Sequence, residues 1–100
     1  MNWVKNLNDL LDFLSYMVLY APDEFPEEDY LSPEEQMNLE KAFEVLNNSM
    51  EFVREKISNG DQLQQLQGLL NDSNTAYKDG DDVKGAHLLQ EFEAVVFKDK

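Results

Sequence analysis

Apolar residues recur at three- and four-residue spacing along four segments of this 100-residue chain. Such spacing places them on one face of an α-helix, whereas no segment shows the strict alternation that is typical of a half-buried strand. The four apolar rows are Trp3, Leu7, Leu10, Leu14 and Met17; Leu39, Phe43, Leu46, Met50, Val53 and Ile57; Leu63, Leu66, Leu70 and Tyr77; and Val83, Ala86, Leu89, Phe92 and Val96. We therefore expect four amphipathic helices that bury these rows against one another.

The ends of the first two segments match the usual stops and starts of helices. Pro22 ends the first segment, because proline disfavours helical geometry in the residue before it. The letters Ser-Pro-Glu-Glu at residues 32–35 match a capping box with proline in the first turn. They predict a second helix from Pro33 to about Ser58.

The later connections are short. Asp61 is the predicted N-cap of the third helix, and the turn at residues 78–82 precedes a fourth helix, expected from about Asp82 to Phe97. Short connections favour antiparallel neighbours. The expected fold is all-α: a single domain, residues 1–100, built as an antiparallel bundle of about four helices.

Composition excludes several classes of function. The chain has no cysteine, which rules out disulfides, thiolate catalysis and cysteine-based zinc sites and favours a reducing interior. Its formal charge of −13 repels phosphates, so we expect no direct nucleic-acid binding. The first apolar segment is interrupted by Asp9 and Asp12, unlike a signal peptide, and no run is long enough to span a membrane. We expect a cytoplasmic protein with no membrane association.

Carboxylates are concentrated in the first half of the chain. Between Asn6 and Glu40 there is no Lys, Arg or His, yet there are ten Asp and Glu residues. Seven of them lie at residues 23–35, the segment we call the acidic loop. Mutual repulsion makes this a mild liability for folding, while the field of the loop attracts a basic partner and speeds encounter.

Two aromatic residues, Phe25 and Tyr30, are interleaved with these acids. Aromatics beside carboxylates suit a protein-binding surface that faces Lys or Arg. The alternative for either ring is to pack back onto the hydrophobic core. The predicted partner-binding residues are Asp23, Glu24, Phe25, Glu27, Glu28, Asp29, Tyr30, Glu34 and Glu35, joined by Asp79, Asp81 and Asp82 if the folded turn lies nearby. The alternative interpretation is a solvated connection that keeps the domain soluble.

Catalytic motifs are missing. His87 is the only histidine and completes no nucleophilic pair, and there is neither a Gly-rich phosphate loop nor a G-x-S-x-G motif. An EF-hand that started at Asp72 would need glycine where Tyr77 stands. Loose divalent-cation binding at residues 79–82 is the alternative left open. We expect no enzyme activity, no catalytic residues, no metal site and no cofactor.

A small, acidic, cysteine-free helical chain of this kind resembles the bacterial immunity proteins that neutralise nuclease toxins. The residues that carry the resemblance are the acidic cluster at 23–35 with Phe25 and Tyr30, on an all-helical frame. The likeness covers the character of the whole chain rather than a motif. It implies that the partner is a basic toxin domain, whose nucleic-acid-binding cleft or a nearby exosite is covered by carboxylates that stand where phosphates would lie.

Two other functions fit the sequence. A regulatory or adaptor module would bind a protein through a helical groove, with Val45 and Phe52 as candidates for an exposed apolar stripe. A nucleic-acid mimic would space its carboxylates regularly, like phosphates, and depend less on aromatics. The sequence leaves the oligomeric state open.

Overall fold

The computed structural model describes residues 3–21, 23 and 25–98. Within them lie five α-helices and one turn of 3₁₀-helix, and no strand. The helices are α1 (Leu7–Tyr20), α2 (Leu39–Asn48), α3 (Met50–Lys56), α4 (Gly60–Lys78) and α5 (Asp82–Val96), and the 3₁₀ turn η1 spans Pro33–Glu35. The predicted all-α class and helical bundle are confirmed.

The hairpin of α4 and α5 is the most extensive helix pair, and α1 and α2 pack onto it. Gly80, in the connecting turn, has a φ of 87°, a conformation that glycine adopts without strain. Where the two helices cross, the Ser73 hydroxyl donates to the Gly85 carbonyl at 2.8 Å. A Cβ added to Gly85 would lie 2.7 Å from Cδ2 of Tyr77, so the close approach depends on the missing side chain.

One apolar cluster fills the centre of the bundle and contains most of the predicted rows. Its fully buried members include Leu10, Leu14, Met17, Leu46, Leu66, Leu70, Leu89, Phe92 and Val96. Val83 was predicted in the core, but it is 69% exposed. The buried face of α5 contains Gly85 and Leu89, and a residue two positions before Gly85 points away from that face.

The predicted second helix, Pro33 to about Ser58, is wrong as a single element, because this segment forms η1, α2 and α3. Glu35 does bind back to the Ser32 amide at 3.1 Å, but the chain turns extended at Gln36. The Asn38 side chain then caps α2 by accepting from Lys41 N at 2.8 Å. Ser49 separates α2 from α3, and its hydroxyl donates to the Val45 carbonyl at 2.7 Å, a bond that commonly bends helices.

Helix starts follow local capping. The Asn6 side chain accepts from Asp9 N at 2.9 Å at the start of α1, while Pro22 lies outside the described residues. Asp61 is not the cap of α4, since the Asn59 side chain accepts from Gln62 N at 3.1 Å instead. None of the helices in the described ranges combines the length and apolar character that a membrane crossing requires.

Candidate functional site

Phe25 attaches the start of the acidic loop to the aromatic surface of α1. Phe25 is half-buried, and the centroid of its ring lies 5.5 Å from that of Tyr16. The Tyr16 ring in turn packs against the rings of Phe13 and Tyr20, with centroid distances of 5.5 and 5.3 Å. Aromatic contacts of this kind stabilise a structure beyond the area they bury. Phe25 therefore anchors the loop, and its contact with a partner stays a prediction.

Gln36 fixes the second half of the acidic loop. Its side-chain carbonyl accepts from the Glu28 amide at 2.9 Å, and its Nε2 donates to the carbonyls of Glu28 at 2.8 Å and Leu31 at 2.9 Å. One side chain thus binds three backbone groups of the loop. The backbone that carries Glu27, Glu28 and Asp29 is held by these bonds.

Most of the predicted binding side chains face solvent. Tyr30 is 67% exposed, although its neighbour Leu31 is half-buried. Glu28 is half-buried, and Glu24 lies outside the described residues. The other exposed members are Asp23, Glu27, Asp29, Glu34 and Glu35. The loop therefore presents carboxylates and one tyrosine ring on an anchored backbone.

Two groups in this region have shifted pKa values. The amide and hydroxyl of Ser32 donate to the Glu35 carboxylate at 3.1 and 3.0 Å, and these bonds lower the pKa of Glu35. Burial raises the pKa of Tyr16, and the nearby negative charge of Glu28 raises it further. At neutral pH Glu35 is therefore ionised and Tyr16 is neutral.

The turn at residues 79–82 makes different contacts. The Asp81 side chain caps α5 by accepting from Lys84 N at 3.1 Å, and Asp79 and Asp82 are exposed. Among the described residues, no hydrogen bond or ring contact joins this turn to the acidic loop. Participation of Asp79, Asp81 and Asp82 in one surface with the loop stays a prediction. In the part of the chain that is described, no three Asp, Glu or His side chains converge as metal ligands.

A groove of about 510 Å³ lies beside the acidic loop. It runs between the N-terminal segment, η1 and one face of α2 and α3. Its apolar lining residues are Trp3, Val4, Met37, Val45 and Phe52, and its charged ones are Glu34, Glu35, Glu44, Glu51 and Lys41. Because Glu34 and Glu35 also belong to the loop, the groove and the loop form one continuous acidic surface.

One face of α2 and α3 forms the floor and one wall of this groove. Glu44-Val45 in α2 and Glu51-Phe52 in α3 repeat the same acid–apolar pair seven residues apart, with the half-buried apolar residues as the floor and the exposed acids as the wall. Trp3 also lines the groove, and the centroid of its ring lies 6.0 Å from that of Phe13 and 5.8 Å from that of Tyr16. The Lys41 ammonium donates to the Gln36 carbonyl at 3.2 Å. Carboxylates therefore outnumber the single ammonium among the described lining residues.

The sequence predicts Val45 and Phe52 for the groove of an adaptor module, and Glu34 and Glu35 for the acidic binding surface. Their meeting in one groove was not predicted, nor were the contributions of Trp3, Glu44 and Glu51. The seven-residue repeat was the signal available for Glu44 and Glu51, whereas nothing local connects Trp3 to α2.

The arrangement can bind cationic groups at its carboxylates and apolar groups on the floor of the groove. Comparison of the chain with protein-family models, with curated proteins and with solved structures found no match.

Proposed function

We propose that this protein is a non-catalytic, cytoplasmic binding protein that recognises a basic protein partner. The observation that supports this most is the acidic loop itself, whose exposed carboxylates stand on a backbone anchored by Phe25 and Gln36. A charged surface that is ordered before binding loses less conformational entropy on association. Its field also raises the rate at which an oppositely charged partner arrives.

The partner that we favour is a nuclease-type toxin domain, as for the immunity proteins that the chain resembles in character. A nuclease holds phosphates in a positively charged cleft, and Glu27, Asp29 and Glu34 offer exposed carboxylates of the opposite charge. The protein would inhibit such a toxin by direct contact over the cleft or at a nearby exosite. It needs no cofactor for this and no nucleic acid of its own.

A regulatory or adaptor module is the second candidate, and the groove favours it. Val45 and Phe52, both half-buried, line a concavity that could accept a partner segment. An inhibitor abolishes the activity of its captured partner, whereas an adaptor leaves that activity intact. A nucleic-acid mimic, the third alternative, would bind DNA-binding proteins through its carboxylates and would tolerate loss of the Tyr30 ring.

Charge reversal in the loop tests the proposed function. We expect Glu27→Lys with Asp29→Lys to slow association with the captured partner by about tenfold at low salt and to flatten its salt dependence. The melting temperature should change little, because both side chains are exposed. Stopped-flow or biosensor kinetics across a salt series measure the effect.

The matched control is Asp72→Lys with Glu91→Lys, two exposed residues on α4 and α5. Both pairs change the net charge by the same amount, so only the position of the charge differs. Equal slowing by the two pairs would mean that net charge, and not the acidic loop, governs association.

A further inference from the structure

We propose that the groove beside the acidic loop binds a basic amphipathic helix of the partner protein. Apolar side chains of that helix would lie on the floor of the groove, and its Lys and Arg residues would lie against the carboxylates of the walls. This inference rests on the proposed function and specifies the segment of the partner that is recognised.

The spacing of the apolar residues in the groove favours a helical ligand. The apolar floor of the groove is formed by Val45 of α2 and Phe52 of α3, which lie seven residues apart on either side of Ser49. A helix that lies along this floor would present apolar residues with the same seven-residue spacing, which corresponds to two helical turns, as in other helix-in-groove complexes. Val45 and Phe52 also pack against the hydrophobic core, so the floor is formed before binding.

The charge of the groove indicates a basic ligand. Glu34, Glu35, Glu44 and Glu51 line it, and the ammonium of Lys41 is already bonded to the Gln36 carbonyl. Charge complementarity therefore selects a cationic helix over a neutral or acidic one. A second copy of this chain, with its own charge of −13, is disfavoured for the same reason.

Trp3 is the only tryptophan of the chain and lies in the groove, so its fluorescence reports directly on occupancy. The probe is a synthetic peptide of about four helical turns with Leu on one face and Lys on the other. A second peptide of the same composition, with Leu scattered around the helix, is the control. We expect the amphipathic peptide to shift the Trp3 emission and to bind about tenfold more tightly than the scattered one.

A groove-filling variant separates the groove from general attraction between opposite charges. Asn48 is exposed and lines the groove, so Asn48→Phe obstructs it without disturbing the core. Gln65→Phe, on the exposed face of α4, is the matched control. We expect Asn48→Phe to weaken binding of the amphipathic peptide about tenfold and Gln65→Phe to leave it unchanged.

Two double variants, one in the groove and one elsewhere, test the carboxylates that line the groove. Glu44→Gln with Glu51→Gln should weaken peptide binding at low salt, and Asp72→Asn with Glu91→Gln should not. Circular dichroism melts establish that each variant is folded.

Equal binding of the two peptides, or no effect of Asn48→Phe, would overturn the inference. If, in addition, charge reversal at Glu27 and Asp29 still slows association with the captured partner, the proposed function stands and only the proposed role of the groove fails. If neither the groove nor the loop variants alter partner binding, both proposals fail. A concentration-dependent dimer in sedimentation, abolished by Asn48→Phe, would identify a second copy as the occupant and contradict the basic helix.

Discussion

At the scale of single residues, Gln36 joins one side chain to three backbone groups of the acidic loop. These bonds tie the backbone at Glu28 and Leu31 to the residue that directly follows the loop. We expect Gln36→Ala to lower the free energy of local opening of the loop by about 1–3 kcal/mol. The melting temperature should change much less, since the loop lies outside the helical core.

Hydrogen exchange of the Glu28 amide measures this opening directly. Exposed Gln64 on α4 provides the control, because Gln64→Ala removes a similar side chain far along the chain from the loop. Gln36→Ala should also bind the partner more weakly, because a less ordered loop loses more conformational entropy on association. An unchanged exchange rate at Glu28 would show that the loop is ordered by other contacts.

Tyr77 gives a prediction at high pH. It is 4% exposed, and its hydroxyl has no hydrogen-bond partner among the described residues. Burial, helped by the negative charge of Asp82, raises the pKa of Tyr77 from 10.0 to about 12. A raised pKa of a tyrosine favours the neutral form in the folded state. This contribution to stability is therefore complete below pH 10 and is lost as the pH rises from 10 to about 12.

Tyr77→Phe should remove the loss of stability between pH 10 and about 12, because phenylalanine has no group that ionises there. The variant should be as stable as the parent or more stable at neutral pH, because a buried hydroxyl without a partner costs about 1–3 kcal/mol. Urea melts at several pH values, with Tyr30→Phe as the exposed control, measure the difference. A neutral-pH loss of stability in Tyr77→Phe alone would reveal a bond made by the hydroxyl.

At the scale of elements, the α4–α5 pair depends on Gly85. Alanine is the better helix former by about 1 kcal/mol, yet a Cβ here would collide with the face of the Tyr77 ring. We expect Gly85→Ala to destabilise the fold by about 1–3 kcal/mol, because the two helices must move apart. Chemical denaturation measures the change in the free energy of unfolding.

Gly68 is the matched control for this change. It lies inside α4, and a Cβ added there would meet nothing within 4 Å. Gly68→Ala should therefore stabilise the protein by about 0.5–1 kcal/mol. If both alanine variants gain stability, the helices are not as close at Gly85 as the structure indicates.

Helices whose apolar rows run without interruption were predictable from sequence. The rows of α1, α4 and α5 identify their buried faces, apart from Val83 in the first turn of α5. The break between η1 and α2 was not predictable, because it depends on the Gln36 amide reaching backbone groups eight residues away. Asn38 and Asn59 were local signals for caps, but the acidic pattern at residues 32–35 and Asp61 offered competing ones.

At the scale of the whole molecule, charge was more predictable than shape. The concentration of carboxylates at residues 23–35 is evident in the sequence, and their exposure follows from the mismatch between ionised groups and an apolar core. The groove was not predictable, since it forms where Trp3, η1 and the α2–α3 face meet. Tertiary packing therefore adds an apolar floor to an acidic surface that composition alone could indicate.

The proposed recognition of one basic partner is tested most directly by capture from the native cells across a salt series, followed by mass spectrometry. Three baits are compared: the parent protein, the Glu27→Lys and Asp29→Lys pair, and the Asp72→Lys and Glu91→Lys pair. We predict that the parent and the control pair retain a single basic protein in stoichiometric amount at moderate salt, and that the loop pair loses it. Many basic proteins released together by modest salt from all three baits would contradict the proposal, because the acidic loop would then be a nonspecific polyanion.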